Sequence, residues 1–284
     1  MSDNDTTTTT GEIASAVAEG RLPGRVWMYS NYHCNIECSY CLTESGPKVA
    51  RRALSAETML EVGRQAKELG FTHLGVTGGE TFLQPWMPEV LAQLADLLPT
   101  VALTNATLFS PRLLDRVAPL AGRDIALQIS LDRPDADVND EMRAPQNFAK
   151  VVAAIPQLVQ RGIKVRIATT VESIEDLELD RLCALHRDLG VPDSDHIIRP
   201  IIRRGRAQTQ GFGVDAVQSD IPAELTITAD GAFWGPFGPT VNGGKLDTDL
   251  LVTRTTLPLS VPARALLGLV EDRPRGADST LNLR

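Results

Sequence analysis

From Arg25 onward, short apolar runs alternate with stretches whose hydrophobic residues recur every three or four positions. The runs at 26–32, 73–77, 100–103, 125–131, 164–171 and 196–202 read as six strands. Between them, Met59, Val62, Ala66 and Leu69 form one helical stripe, opened by Ser55 and stopped by Gly70. Further stripes run through Val90, Leu91, Leu94, Ala95 and Leu98, and through Phe148, Val151, Val152, Ile155 and Val159. Another joins Leu179, Leu182, Leu185 and Leu189, and Ser110-Pro111 opens a helix as cap and first-turn proline. Strands alternating with helices predict parallel strands joined by helical crossovers. Six units fall short of the eight that close a full barrel. The expected fold is therefore α/β, a partial (β/α)6 TIM-like barrel with a small C-terminal cap. The expected divisions are a disordered tail over 1–22, whose first ten residues are polar and Thr-rich, a core over 23–207, and the cap and a tail over 208–284.

Bulk properties narrow the partners. The chain has 284 residues, 43% hydrophobic and 23% charged, with net charge −8 and a pI near 5.1. An acidic chain lacks the clustered cations that bind a phosphate backbone, and the short basic stretch 199–206 does not supply them, so no nucleic-acid partner is expected. No apolar run has the ~18 residues of a membrane span, and the N-terminus lacks the charged and apolar regions of a secretion signal. The expectation is a cytoplasmic protein without a membrane partner. Four cysteines are too few for a disulfide framework.

In barrels of this kind the chemistry sits at the C-terminal ends of the strands. The strand ends here deliver Cys34-Asn35-Ile36-Glu37-Cys38-Ser39-Tyr40-Cys41, then Gly78-Gly79-Glu80, Thr104-Asn105, Ser130-Leu131-Asp132 and Thr169-Thr170. A barrel held only by its core needs none of these groups, and together they suggest one large polar ligand across the mouth. Three thiolates in one short loop suit a cuboidal iron–sulfur cluster and leave one iron open. A zinc staple completed by the adjacent His33 is the alternative.

The spacing Cys-x3-Cys-x2-Cys, with Tyr40 before the last cysteine, resembles the signature of the radical S-adenosylmethionine superfamily. The resemblance covers roughly 25–206, because the later motifs follow in order at the right strand ends. It implies one [4Fe–4S] cluster on Cys34, Cys38 and Cys41, and S-adenosylmethionine as second cofactor. Gly78, Gly79 and Glu80 would hold the methionine amino group, the carboxylate meeting an ammonium. Arg143 would pair with the methionine carboxylate, and Tyr40 would pack on adenine. Asn105, Ser130, Asp132 and Thr170 would lie along the rest of the cofactor. Thr81, Ala106, Arg133 and Ala144 depart from the family's usual Pro or Gly at those places.

The activity so implied is reductive cleavage of S-adenosylmethionine to a 5′-deoxyadenosyl radical that abstracts hydrogen from a substrate, with an external flavodoxin- or ferredoxin-type electron donor. A small metabolite is favoured as substrate, since the ~24 residues before the first strand are too few for a leader-binding domain of ordinary size. A peptide maturase working with a separate leader-binding protein is the alternative, and a non-catalytic iron–sulfur or zinc-stapled protein is the reading from another class. Residues 224–236 read as two strands around Asp230-Gly231, similar to a SPASM/twitch extension without its cysteines, followed by a helix over 262–270. This region is expected either to shield apolar barrel surface or to form a lid presenting Phe233, Trp234 and Phe237 to substrate. Cys183 lies on the stripe with Leu179 and Leu182 and is expected to pack outside the barrel, remote from the chemistry.

Overall fold

The computed structural model describes residues 3–173, 178–242 and 245–271. Expectations for 1–2 and 272–284 lie outside the described residues. The chain opens with α1 (Asp3–Ala18), where a disordered tail was expected. Ile13, Ala16 and Val17 supply one apolar edge, with Ile13 and Ala16 fully buried, and the helix packs against the last helix of the chain. The polar run 1–10 masked this short stripe.

The barrel follows as β1 (Arg25–Tyr29), α2 (Ala56–Glu68), β2 (His73–Thr77), α3 (Met87–Leu97), β3 (Thr100–Thr104), α4 (Pro111–Val117) and β4 (Ile125–Ser130). It continues through α5 (Ala136–Met142), α6 (Asn147–Gln160), β5 (Lys164–Val171), α7 (Leu179–Asp188), β6 (His196–Pro200) and α8 (Arg206–Gln210). The six strands pair in sequence order and every neighbouring pair is parallel, giving the partial barrel. Strand alternation divides the faces. Val26 and Met28 join the core together with Met59, Val62 and Ala66 of α2, whereas Arg25, Trp27 and Tyr29 line a cavity inside the barrel.

The C-terminal region adds β7 (Leu225–Thr228), β8 (Gly231–Trp234), the small hairpin β9 (Val241–Asn242) and β10 (Lys245–Leu246), β11 (Leu251–Thr253) and α9 (Ser260–Glu271). The strand pair around Asp230-Gly231 forms as the sequence predicts. It does not sit apart from the barrel. β7 pairs parallel to β1, Val26 opposite Leu225 and Met28 opposite Ile227, so one nine-stranded sheet runs β11-β8-β7-β1-β2-β3-β4-β5-β6. Phe233 and Trp234 are 1% exposed in the main core, and the Trp234 indole donates to the Ile221 carbonyl at 3.1 Å. The lid reading therefore fails for both, and only Phe237 reaches the cavity.

On the outer side, His186 of α7 is fully buried with its ring edge-on to His196 of β6, centroids 4.5 Å apart. Neither nitrogen of the His186 ring finds a hydrogen-bond partner among the described residues. Burial, reinforced by His196 and opposed by Asp193, pushes its pKa down to about 3. The folded value lies below the unfolded one, so His186 contributes full stability above about pH 6.5. That stability falls by roughly 1.4 kcal/mol per pH unit between there and the folded pKa. Urea unfolding at pH 7 and pH 5 is expected to show this loss in the wild type and a flatter dependence in His186→Phe; equal slopes would remove His186 as the acid-sensitive group.

Candidate active site

The cysteine loop carries almost no regular structure, so its shape comes from what it touches. At its start, Gly79 N–H donates to the Asn31 carbonyl at 2.9 Å, Glu80 N–H to the His33 carbonyl at 3.2 Å, and Asn31 Nδ2 to the Glu80 carbonyl at 2.9 Å. A Cβ on Gly79 would lie 2.1 Å from the His33 carbonyl oxygen, so glycine is required for the loop to cross the end of β2. Further along, Cys34 N–H bonds the Gly46 carbonyl, and Ser39 N–H reaches the Met142 carbonyl at 2.9 Å. Arg206 closes the loop from α8, donating through Nε to the Cys38 carbonyl at 2.6 Å and through Nη2 to the Ser45 carbonyl at 2.5 Å.

Cys34, Cys38 and Cys41 all face one cavity of about 350 Å³. Burial pushes the Cys34 thiol up to about 12 and the Cys38 thiol up to about 11. Deprotonation of these thiols is thus left to a bound cation. Among the described residues no three His, Cys, Asp or Glu side chains gather closely enough for one metal ion. In a cuboidal cluster each thiolate takes a different iron, so three thiols on one cavity need not converge on a single point.

The cavity is also lined by Tyr40, Gly78, Gly79, Asn105, Ser130, Arg143 and Thr170. The two carboxylates expected to touch the cofactor do not line it. Glu80 is 1% exposed, and its oxygens accept from Thr104 Oγ1 at 2.7 Å, Phe82 N–H at 3.0 Å and Asn105 N–H at 2.8 Å. It ties the end of β2 to the end of β3 instead of presenting a charge to an ammonium. Burial raises its pKa, opposed by these hydrogen bonds. Asp132 is fully buried and accepts from Tyr40 Oη at 2.5 Å, Arg143 Nη1 at 2.8 Å and Thr170 N–H at 2.8 Å. The short carboxylate side chains reach protein donors before they reach the mouth.

Arg143 is held by Asp132 and by the Tyr40 hydroxyl, yet its buried Nε has no partner among the described residues. Such an orphan donor suits a ligand carboxylate. Asn105 Nδ2 lies 3.5 Å from Cys34 Sγ and 3.0 Å from Asn35 Oδ1, so it braces the cysteine loop as well as lining the cavity. Cys183 lies half-buried on α7 and is not among the cavity residues. Sequence reasoning missed Arg206, which it weighed only as part of the short basic stretch 199–206. It also missed Tyr29, whose hydroxyl donates to Thr43 Oγ1 at 2.9 Å beside Cys41. The two-residue alternation of β1 was the available signal for Tyr29.

A sequence profile of the Radical SAM superfamily matches residues 28–180, from within β1 into α7. The chain belongs to this superfamily. Among relatives, it is 31% identical over 161 residues to the antilisterial bacteriocin subtilosin biosynthesis protein AlbA of Bacillus subtilis, covering 56% of this chain and 36% of that one. It is 31% identical over 168 residues to a probable GTP 3′,8-cyclase of Archaeoglobus fulgidus, covering 57% and 54%. The chain thus spans about a third to a half of these relatives' lengths. The solved structure of native anSMEcpe with bound AdoMet shares the fold at a TM-score of 0.61 and 10% identity, covering 87% of this chain and 83% of that one. Radical SAM enzymes use a [4Fe–4S] cluster and S-adenosylmethionine, and the cavity's thiols and orphan guanidinium donor fit that pair.

Ala106 stands where the superfamily often has Gly, and its φ is +57°, in the left-handed region. Ala106→Gly is therefore expected to be neutral or to stabilise by up to about 1 kcal/mol, against the usual cost of glycine. Gly79→Ala is expected to lower the melting temperature and release iron from reconstituted protein. Thermal unfolding with iron analysis of both variants checks this.

Proposed function

We propose that the chain is a radical S-adenosylmethionine enzyme that abstracts hydrogen from a substrate held in the cavity bounded by β1, β6 and the cysteine loop. The observation that carries this reading is the convergence of three thiols and the Arg143 orphan donor on one cavity. Bound there, the cofactor pair supplies one-electron reductive cleavage of the sulfonium C5′–S bond, the electron entering from an external donor of flavodoxin or ferredoxin type. Cys34, Cys38 and Cys41 hold the cluster. Arg143 anchors the methionine carboxylate through Nε, while Asp132 and Tyr40 fix its guanidinium plane. Gly79 and Arg206 keep the thiols aimed inward. Ser130 and Thr170 offer hydroxyls along the far wall for the ribose and adenine. Phe237, Ile201 and Pro236 give the cavity an apolar wall beside these groups.

The substrate reading is a small molecule, supported by a cavity that is walled on several sides and modest in volume. The names of relatives span biosynthesis of a bacteriocin and cyclisation of GTP, and a peptide maturase working with a separate leader-binding protein is the second reading. Anaerobically reconstituted, dithionite-reduced protein is expected to convert S-adenosylmethionine to 5′-deoxyadenosine and methionine. Arg143→Ala should retain its iron but bind S-adenosylmethionine at least about tenfold more weakly, roughly 1.4 kcal/mol. Wild-type affinity in Arg143→Ala would overturn its assignment.

A further inference from the structure

The cavity does not end at the cofactor residues. It runs down the barrel to Arg25, Trp27, Arg199 and Glu224, which neither the cysteine loop nor the cofactor assignment uses. Arg25 and Tyr29 lie four residues apart on one face of β1, so this inner end sits ~13 Å along the strand from the Tyr29 level, where Thr43 meets Cys41. Trp27 lies between them on the same face. The indole lies so close over Gly75 that a Cβ there would come within 2.2 Å of the ring, and the Arg25 guanidinium sits 5.5 Å from the ring centroid.

Charge at this end is unbalanced. Among the described residues Glu224 is the one carboxylate lining it, and both of its oxygens are engaged: Oε2 accepts from Trp27 Nε1 at 2.5 Å, and Oε1 lies 3.6 Å from Arg25 Nη1. Arg25 Nε is buried with no hydrogen-bond partner among the described residues. The Arg199 side chain lines the cavity and forms no hydrogen bond with a described residue. It is pressed by burial and by the charges of Arg25 and Arg166, with Glu224 alone in its favour, so its pKa is held below the usual guanidinium value. Arg166, next along the barrel, already has Asp195 at 3.9 Å. Two guanidiniums with unused donors thus face one shared carboxylate in a walled cavity. A buried donor left unmatched costs free energy that an anion would recover.

We propose that this inner end is the substrate's anchoring subsite, and that it takes a carboxylate seated between Arg25 and Arg199. The rest of the substrate then extends over Trp27, Tyr29, Ile201 and Phe237 toward the cysteine loop, which requires a compact apolar body behind the acid group. This assignment rests on the radical S-adenosylmethionine reading for the direction in which the substrate points. Recognition of the carboxylate itself stands on the arginines alone.

The test is calorimetric titration of anaerobically reconstituted protein with S-adenosylmethionine present, so that Arg143 is engaged. The probes are 4-phenylbutyrate, its neutral amide, and an apolar tripeptide with a free or an amidated C-terminus. Acid is expected to bind at least about tenfold more tightly than amide. Arg199→Gln and Arg25→Gln should each remove that preference, and Arg199→Lys should keep part of it. Preference for the small acid over the free tripeptide identifies a metabolite carboxylate, and the reverse order identifies a peptide C-terminus; either supports the subsite. Equal binding of acid and amide to wild type, or an undiminished acid preference in Arg199→Gln, overturns it. Should Arg199→Gln not fold, Arg25→Gln carries the same decision. Failure of the wild type to bind S-adenosylmethionine in the first titration counts against the enzymatic reading and leaves the acid-versus-amide comparison to judge the subsite.

Discussion

The site depends on one constraint: an irregular loop carrying three thiols must be fixed across the ends of β1 and β2. Backbone pairing does most of this, with the amides of Gly79 and Glu80 donating to the carbonyls of Asn31 and His33. That approach leaves no room for a side chain on Gly79, so the glycine pair here is first a docking surface for the loop. Arg206 fixes the other side by binding two loop carbonyls from the end of the barrel. The first and last parts of the partial barrel are thereby joined through the cysteine loop. Loop carbonyls that would otherwise lack partners are satisfied by a guanidinium whose stem is packed into the fold.

Two buried carboxylates carry the constraint sideways. Glu80 couples the end of β2 to Thr104 and Asn105 at the end of β3, and Asn105 in turn touches Cys34. Asp132 couples the end of β4 to Thr170, Tyr40 and Arg143. Both act on groups that face the cavity without facing it themselves. Removing either would leave buried donors unmatched, which costs more than the net contribution of an ordinary hydrogen bond. The polarity of the mouth is thus supported by a layer of fully satisfied charge behind it.

Much of this was legible in the sequence because two periodicities are clean. The apolar runs and helical stripes placed all six barrel strands, with ends differing by a few residues, and strand ends placed the motifs. Ten of the twelve expected site residues line the cavity. What the sequence could not show was where side chains end. Glu80 and Asp132 occupy the right strand ends but turn into the protein, which only three-dimensional donor positions decide. Arg206 and Arg199 read only as part of a short basic stretch because their targets, loop carbonyls and a barrel interior, are remote in sequence. Residues 1–22 read as a tail because the apolar edge of α1 is only a few residues long and gains meaning from α9, some 250 positions away. Phe233 and Trp234 read as lid candidates by composition, whereas pairing of β7 with β1 draws them into the core.

The central claim is that Cys34, Cys38 and Cys41 together hold one cluster and not a single metal ion. Iron and acid-labile sulfide analysis of anaerobically reconstituted protein, with electron paramagnetic resonance of the reduced sample, tests it most directly. The account predicts about four irons and four sulfides per chain, lost together when the three cysteines are replaced by Ala. One tightly held zinc per chain with no sulfide, or an iron content near eight, would contradict it.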